Sequence, residues 1–273
     1  MSWATGGGTR LYYEVHGSGP GVLFVHGSGG HHAAWWQQVP ALRDNYTVIT
    51  MDLRGFGCSR WDGEHDSMAF PGDVIAVLDA VAAMKGEGEV GGPDRAVLVG
   101  QSIGAAAALR AALDRPDRAA GVVLAHSLGG LRHPELTELV EADRAAAVKL
   151  PVLDRLLTPE FRDRRPDLAF LFQQMGTFNT AKMADLRNLG SDGPTAGELD
   201  AAPFPLLLLA GERDSVLSPA TVRRAGEILS HARVEIVPGA PHSMYWETPS
   251  LFNDAVSRFL ADVSAAGTAG RLR

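Results

Sequence analysis

The chain has too few cysteines, too little basic charge and too short apolar runs for several classes of protein. Cys58 is the one cysteine among 273 residues, so no disulfide can form within the chain, which suits a reducing compartment. The formal net charge of -7 argues against nucleic acid or an anionic membrane as a partner, because both bind basic surfaces. No apolar run is long enough to cross a bilayer, and the amino terminus lacks the basic and apolar regions of a secretory signal. These absences predict a cytoplasmic protein that binds no membrane.

Strand-like and helix-like segments alternate along the first half of the chain. Residues 22–26 and 46–51 are apolar enough for buried strands, and residues 67–84 carry apolar side chains at helical spacing. Hydrophobic residues make up 45% of the chain, which is ordinary for a globular protein and sufficient for a large core. The alternation predicts an α/β fold with a mostly parallel central sheet and helices on both faces.

The alternation stops in the middle of the chain. After the predicted strand at residues 121–125, no strand pattern returns until residues 204–210. Between them the sequence has helical patterns at residues 134–150, 159–175 and 180–189. An insertion between two sheet strands is most simply a helical cap over the carboxyl ends of the strands, where open α/β sheets bind ligands. We therefore predict a core formed by residues 1–127 and 201–273, and an inserted helical cap (lid) formed by residues 128–200.

The segment from Gly100 to Gly104 reads Gly-Gln-Ser-Ile-Gly and joins an apolar run to an alanine-rich helical run. Such a turn from strand to helix is a nucleophile elbow, which strains its central serine, exposes the hydroxyl and requires glycine-sized neighbours. A second stretch with the same pattern is centred on Ser127, but the two glycines and the proline that follow it oppose entry into a helix. The context therefore favours Ser102 as a catalytic nucleophile.

A serine nucleophile requires a base to take its proton and an acid to orient that base. His242 is the predicted base, because it lies in a turn-rich loop after the last predicted strand. Asp214 is the predicted acid, because it closely follows the predicted strand at residues 204–210. Glu212 lies nearer to the end of that strand and is the alternative.

A tetrahedral intermediate carries a negative oxygen that two backbone donors must stabilise. The amide of Ile103, the residue after the predicted nucleophile, is the first candidate. The second is the amide of Ser28, with Gly29 as the alternative, in a glycine-rich loop that follows an early strand. His26, at the start of this loop, is interpreted as a structural residue that organises it.

Together these segments resemble the α/β-hydrolase superfamily. The resemblance covers nearly the whole chain and rests on His26 to Gly29, Asp52 to Gly57, Gly100 to Gly104, Asp214 and His242. It implies an α/β-hydrolase fold, with the turn after Asp52 as a structural corner. It also implies a carboxylesterase-like serine hydrolase without a cofactor, which cleaves an ester, lactone or thioester of a small, mainly apolar molecule through an acyl-enzyme.

Other functions stay open on the same fold. The chain is also similar to the meta-cleavage product hydrolases, which break carbon–carbon bonds with the same triad. Those enzymes typically have asparagine before the serine and tryptophan after the histidine, whereas this chain has Gln101 and Ser243. Arg187 is either a counterpart of their cap arginine or a solvent-facing charge. A cofactor-free oxygenase or perhydrolase and a ligand receptor are the remaining alternatives.

Candidate residues for a substrate pocket come from the glycine-rich loop, the elbow, the base loop and the cap. They are Gly27, Gly29, Gln101, Trp35, Phe170, Met175, Phe178 and Ser243. Packing explains the tryptophan and the cap residues equally well. We expect no metal site at His31 and His32, because adjacent side chains point differently and no carboxylate or cysteine cluster accompanies them. The expected partner is a small-molecule substrate, and a homodimer is left open.

Overall fold

An eight-stranded sheet forms the centre of the part of the chain that the computed structural model describes, residues 2–84 and 92–271. In spatial order the strands are β1 (Ser2–Gly6), β2 (Thr9–His16), β4 (Thr47–Met51), β3 (Gly21–Val25), β5 (Ala96–Gln101), β6 (Ala119–Ala125), β7 (Leu206–Gly211) and β8 (Ala232–Val237). Strand β2 runs antiparallel to both of its neighbours, and the other neighbouring pairs are parallel. The predicted α/β fold with a mostly parallel sheet is confirmed.

The α-helices of the described residues fall into two groups. The first group accompanies the sheet: α1 (Gln38–Leu42), α2 (Phe70–Ala82), α3 (Ile103–Asp114), α9 (Pro219–Ile228), α10 (Met244–Glu247) and α11 (Pro249–Arg271). The second group lies between β6 and β7: α4 (Pro134–Ala147), α5 (Val152–Leu156), α6 (Pro159–Arg164), α7 (Pro166–Met175) and α8 (Ala196–Asp200). None of the helices in the described ranges is long and apolar enough to span a membrane.

The sheet is buried on both faces, because side chains along a strand alternate between two helical layers. On β3, Leu23 and Val25 belong to the core cluster that includes residues of α2, α3 and α9. Val22 and Phe24 belong to the other cluster, with residues of α1 and α11. The apolar strands recognised in the sequence are therefore central strands covered on both sides.

The segment 128–200, called the inserted segment below, contains α4 to α8. A helix predicted at residues 180–189 is wrong, since only the 3₁₀ turn Met183–Asp185 forms there. The reason is that the backbone beyond this turn bonds to a core loop: the amide of Arg187 donates to the carbonyl of His65, and its carbonyl accepts from the amide of Ser67. These bonds replace the bonds that would continue a helix.

The two ends of the inserted segment meet at one point. Arg132, shortly after β6, forms an isolated parallel bridge with Thr195, and the amide of Arg132 donates to the carbonyl of Pro194 at 2.8 Å. Gly130 and Gly193 pass so closely that a Cβ at Gly193 would stand 1.7 Å from the carbonyl oxygen of Gly130. We call this crossing the glycine neck. Because β6 and β7 run parallel, the chain then passes through α8 to reach the amino end of β7, at the opposite edge of the sheet.

Candidate active site

Four neighbouring parallel strands, β5 to β8, end at the same edge of the sheet, and each is followed by one polar residue of the candidate site. Ser102 follows β5, His126 follows β6, Asp214 lies in the loop after β7, and His242 lies in the loop after β8. Backbone pairing continues into Ser102 and His126. The amide of Ser102 donates to the carbonyl of Ala125 at 3.0 Å, and the amide of His126 donates to the carbonyl of Leu209 at 2.7 Å. This carboxyl edge is where open α/β sheets place their ligand sites.

Ser102 occupies the strained turn that the sequence predicted. Its φ of 52° and ψ of -116° lie outside the conformations that non-glycine residues ordinarily adopt, and α3 begins at the next residue. Both flanking glycines are required by close backbone contacts. A Cβ at Gly100 would stand 2.4 Å from the carbonyl oxygen of Gly104, and one at Gly104 would stand 2.4 Å from that of Val25. The start of α3 beside the serine favours negative charge there.

Asp214 and His242 form a buried hydrogen-bonded pair. Nδ1 of His242 lies 2.9 Å from Oδ1 and 3.0 Å from Oδ2 of Asp214, and Oδ1 also accepts from the amides of Val216 and Leu217. Burial alone would raise the pKa of Asp214, but the adjacent His242 ring and the histidine hydrogen bonds outweigh burial and hold this pKa well below its usual range. The ionised carboxylate therefore accepts the proton of Nδ1, which leaves the lone pair of His242 on Nε2, as a base requires.

The alternatives to the predicted acid and nucleophile occupy different surroundings. Glu212 is exposed, and its Oε2 accepts a hydrogen bond from the amide of Gly239 at 2.9 Å. Ser127 Oγ accepts a hydrogen bond from the amide of Gly129 at 3.1 Å, so it stabilises its own turn. The strained residue of that second segment is His126, with φ 58°, and a loop rather than a helix follows it.

The glycine-rich loop after β3 lies against the elbow. A Cβ at Gly27 would stand 3.4 Å from Cβ of Ser102 and 2.0 Å from Oε1 of Gln101, so a side chain at this position would require Gln101 to move. His26 is buried, and its Nε2 accepts a hydrogen bond from the amide of Leu53 at 3.1 Å. Its Nδ1 then carries the proton and donates to the carbonyl of Gly27 at 2.8 Å. His26 thus holds the shape of the loop.

The two amides expected to stabilise the oxyanion lie next to this contact. Among the described residues, the amide of Ser28 has no hydrogen-bond partner, and the same holds for Gly29. The amide of Ile103 opens α3, where an N–H group has no acceptor within the helix. Unpaired N–H groups are therefore present both in the elbow and in the loop that lies against it.

His126 is the residue of this site that sequence reasoning missed. It is 2% exposed, and its Nδ1 lies 2.9 Å from Oδ2 of Asp214. The centroids of the His126 and His242 rings are 5.3 Å apart. Burial lowers the pKa of His126, although the hydrogen bond to Asp214 opposes that effect. The available signal was its position directly after a predicted strand, but its segment stood out in the sequence only as a competing elbow.

A cavity of about 300 Å³ opens beside Ser102. The core contributes Ile103, His126 and Val216 to its wall, among others. The inserted segment contributes mainly apolar side chains, which include Leu128, Leu131, Leu136, Val140, Met183 and Leu189. Polar side chains, Thr137, Glu141 and Arg144 of α4 among them, complete the lining. The cavity lies between the strand ends and the inserted segment, where the sequence predicts a ligand site.

Residues of this cavity differ from those that the sequence suggested for a pocket. Trp35 is a core residue: it is fully buried, with ring centroids 4.8 Å from Phe24 and 4.9 Å from Tyr245. The reason is that its short 3₁₀ helix, His32–Trp35, packs Trp35 into the core cluster on the α11 side of the sheet.

The suggested residues of the inserted segment lie elsewhere as well. Phe170 and Phe178 have side chains 63% and 61% exposed, and Met175 is buried in the core cluster that contains Trp246. The neighbouring backbone nevertheless approaches the glycine-rich loop, since a Cβ at Gly176 would stand 3.5 Å from the carbonyl oxygen of Gly29.

Gln101 and Ser243 are also absent from the lining of the cavity. Gln101 is buried against Gly27, and the amide of Ser243 donates to the carbonyl of Leu156 at 3.1 Å. Ser243 therefore ties the histidine loop to the inserted segment.

Two groups of described residues bring possible metal-ligating atoms within 4.8 Å of one another: His31, His32 and Asp52, and His126, Asp214 and His242. The expectation that no carboxylate accompanies His31 and His32 is wrong, because the turn after β4 brings Asp52 beside them. Asp52 accepts hydrogen bonds from Nδ1 of His32 at 2.8 Å and from the amide of Cys58 at 2.7 Å. In both groups the carboxylate is hydrogen-bonded to a histidine ring, which accounts for the clustering.

Comparison with known proteins identifies the family of the chain. The 2-hydroxymuconate semialdehyde hydrolase of Pseudomonas sp. (strain CF600) is 28% identical, over 93% of this chain and 92% of that protein. The 3-oxoadipate enol-lactonase 2 of Acinetobacter baylyi is 24% identical, over 90% of this chain and 91% of that protein. A thermophilic esterase from Thermogutta terrifontis has a similar structure, with a TM-score of 0.77, 24% identity and coverage of 96% of this chain and 98% of that one. The model of the alpha/beta hydrolase family matches residues 22–255, and the chain therefore belongs to that family.

Proposed function

We propose that the chain is a serine hydrolase of the carboxylesterase type, which cleaves an ester, lactone or thioester of a small, mainly apolar molecule. The observation that carries this proposal is the strained Ser102 at the end of β5, on the same sheet edge as the buried Asp214–His242 pair. The relatives support hydrolysis in general, since they include proteins described as a hydrolase, a lactonase and an esterase.

The proposed reaction passes through an acyl-enzyme. Nε2 of His242 removes the proton of Ser102 Oγ as the oxygen attacks the substrate carbonyl, and Asp214 stabilises the imidazolium that forms. The amides of Ile103 and of Ser28 or Gly29 hydrogen-bond to the developing oxyanion. His242 then protonates the leaving group. In the second half, His242 activates a water molecule that releases the acid and restores Ser102.

The proposed substrate is small because the cavity beside Ser102 has a volume of about 300 Å³, at the lower end of ligand pockets. It is mainly apolar because leucine, valine and methionine side chains of the inserted segment form much of the wall. In this proposal residues 128–200 act as a cap that selects the substrate, while residues 1–127 and 201–273 form the catalytic core.

The position of Arg187 favours hydrolysis of an ester-type bond over hydrolysis of a carbon–carbon bond. The side chain of Arg187 is 71% exposed and pairs with Glu64 at the surface. It is not among the residues that line the cavity beside Ser102. It therefore has the position of a solvent-facing charge.

The test is labelling with a fluorophosphonate, which reacts only with an activated serine. We expect the wild-type protein to be labelled, Ser102→Ala to be unlabelled, and kcat for a reactive ester to fall by at least about 10⁴-fold in that variant. Ser127→Ala is the matched control, because it removes the serine of the competing segment and should leave labelling unchanged. An unlabelled wild-type protein, or equal labelling of Ser102→Ala, would refute the proposal.

A separate experiment determines which class of substrate the protein hydrolyses. We expect p-nitrophenyl esters of graded chain length to be hydrolysed fastest at short or medium length, because a cavity of about 300 Å³ excludes long chains. A vinylogous diketone serves as the competing substrate, and faster cleavage of the diketone would assign carbon–carbon hydrolysis instead.

A further inference from the structure

We propose that His126 is a positioning residue for this reaction, whose Nδ1–H holds the carboxylate of Asp214 in the orientation that serves His242. The arrangement is then His–Asp–His, with one carboxylate shared by two rings. This inference rests on the proposed function, in which Asp214 and His242 are the acid and the base.

The hydrogen bonds of Asp214 show what His126 contributes. Oδ1 accepts hydrogen bonds from the amides of Val216 at 2.8 Å and Leu217 at 3.0 Å, and from Nδ1 of His242 at 2.9 Å. The donors that the structure gives to Oδ2 are the rings of His126 at 2.9 Å and His242 at 3.0 Å. His126 is therefore the one partner of Oδ2 that is independent of the base. Without His126, the ring donor left to Oδ2 would be Nδ1–H of His242, the same N–H that Oδ1 accepts.

The protonation state of His126 follows from its surroundings. An ionised carboxylate only accepts hydrogen bonds, so Nδ1 of His126 must carry the proton that it shares with Asp214. Its Nε2 is buried and has no hydrogen-bond partner among the described residues, so a second proton there would be unsolvated. The ring is therefore neutral. It donates one hydrogen bond and adds no positive charge to oppose the imidazolium of His242, whose centroid is 5.3 Å away.

The backbone is shaped to aim this ring. His126 has φ 58°, in the left-handed region, and its amide donates to the carbonyl of Leu209 on β7 at 2.7 Å. Among residues with side chains, asparagine, aspartate and histidine adopt that region most readily, and glycine adopts it without strain. Asparagine also offers an amide N–H close to the position of Nδ1, whereas glycine offers none. His126→Asn and His126→Gly thus share the backbone conformation and differ in the donor.

The first experiment compares kcat and KM of these two variants with the wild type on a p-nitrophenyl ester. We expect His126→Gly to lower kcat by about 10- to 100-fold, the loss seen when a partner that orients a ligating histidine is removed. KM should change little, and His126→Asn should recover most of kcat. His231→Asn, which makes the same change at an exposed histidine outside the cavity, is the control that should leave kcat unchanged. A folded His126→Gly variant with the wild-type kcat would overturn the proposal.

The second experiment detects the hydrogen bond between His126 and Asp214 by NMR, without substrate turnover. Ring N–H protons bonded to a carboxylate give strongly downfield NMR signals, so the wild type should show those of His126 and His242 beside that of His32, and either variant at His126 should lose one of them. Nitrogen-15 shifts should place the His126 proton on Nδ1; a proton on Nε2 would overturn the proposal even if His126→Gly failed to fold. Because this readout needs no substrate, it separates failure of this inference from failure of the hydrolase proposal, which fluorophosphonate labelling of the wild type decides.

Discussion

His26 joins two loops through a single neutral ring, and its burial makes the stability of the fold depend on pH. One nitrogen of the ring donates to the carbonyl of Gly27 and the other accepts from the amide of Leu53. Burial lowers the pKa of His26 to about 4 from an ordinary value of 6.5. Between these values the unfolded chain binds a proton that the folded chain does not bind. The folded state therefore loses stability as the pH falls from about 6.5 towards about 4.

Replacing His26 with glutamine should remove this dependence. We expect the wild type to lose about 2 kcal/mol more of its free energy of unfolding between pH 7 and pH 5 than His26→Gln does, from 1.36 kcal/mol per pH unit. Urea unfolding at the two pH values measures the difference. His231→Gln, at an exposed position, is the control and should keep the wild-type dependence. Equal pH dependence in wild type and His26→Gln would contradict the prediction.

The positions of single residues were predictable where each residue closely follows a strand that the sequence reveals. Ser102, Asp214 and His242 each follow a recognisable strand, and parallel strands of one sheet bring such positions to a common edge. His126 was not predictable in the same way, because its role depends on a partner 88 positions away. Trp35 was suggested for the pocket but lies in the core, for a related reason. An aromatic side chain near a loop suits a pocket wall or a core equally, and its packing partners decide which of the two it occupies.

At the scale of elements, the elbow requires that α3 start directly against the end of β3. A Cβ at Gly104 would lie 2.4 Å from the carbonyl oxygen of Val25 and 2.5 Å from that of His26, and neither backbone atom can move freely. We expect Gly104→Ala to lower the free energy of unfolding by about 3 kcal/mol, at the upper end of overpacking effects. Activity should fall as well, because the elbow is displaced.

Gly72 provides the control for that substitution. It lies in the first turn of α2 as Gly104 does in α3, but it is exposed and a Cβ there would meet nothing within 4 Å. Gly72→Ala should therefore raise the free energy of unfolding by about 0.5–1 kcal/mol, because alanine favours a helix over glycine. Chemical denaturation of both variants gives the comparison, and destabilisation by Gly72→Ala similar to that of Gly104→Ala would show that the close contact is not the cause.

Elements with strong apolar periodicity were predicted well, and those defined by long-range backbone bonds were not. Strand β1 has a weak pattern of small and polar residues, and it exists because it pairs with β2 from Ser2 opposite Tyr13 to Gly6 opposite Thr9. The residues near Arg187 carry a helical pattern, but their backbone bonds to the core loop around His65 instead. In both places the deciding partner is distant in sequence, so local propensity carries too little information.

For the whole molecule, the inserted segment and the histidine loop are joined by buried polar contacts. Thr158 donates through its amide to Oε2 of Glu247 at 2.8 Å, and its hydroxyl donates to Oε1 of the same side chain. Glu247 belongs to α10, the helix that directly follows His242 and Ser243. The position of His242 is therefore coupled to the inserted segment.

Breaking this contact should loosen the inserted segment. Glu247→Ala leaves the amide of Thr158 and the proton of its hydroxyl without an acceptor, which should lower the free energy of unfolding by about 1–3 kcal/mol. It should also speed limited proteolysis within residues 148–165, which peptide mapping locates. Asp167→Ala, which removes an exposed ion pair with Arg165, is the control and should change stability by less than about 1 kcal/mol. Unchanged cleavage of Glu247→Ala would show that the contact does not hold the segment.

The glycine neck brings the two ends of residues 130–193 together. Gly130 follows β6 closely, and Gly193 lies just before α8, which leads to β7. The entropy of closing a loop at such a crossing grows only slowly with loop length. The neck therefore tolerates a change in the length of the segment that it closes. The bonds of Leu156 and Thr158 to Ser243 and Glu247 constrain the segment in another way, because a replacement must provide them again to keep the histidine loop in place.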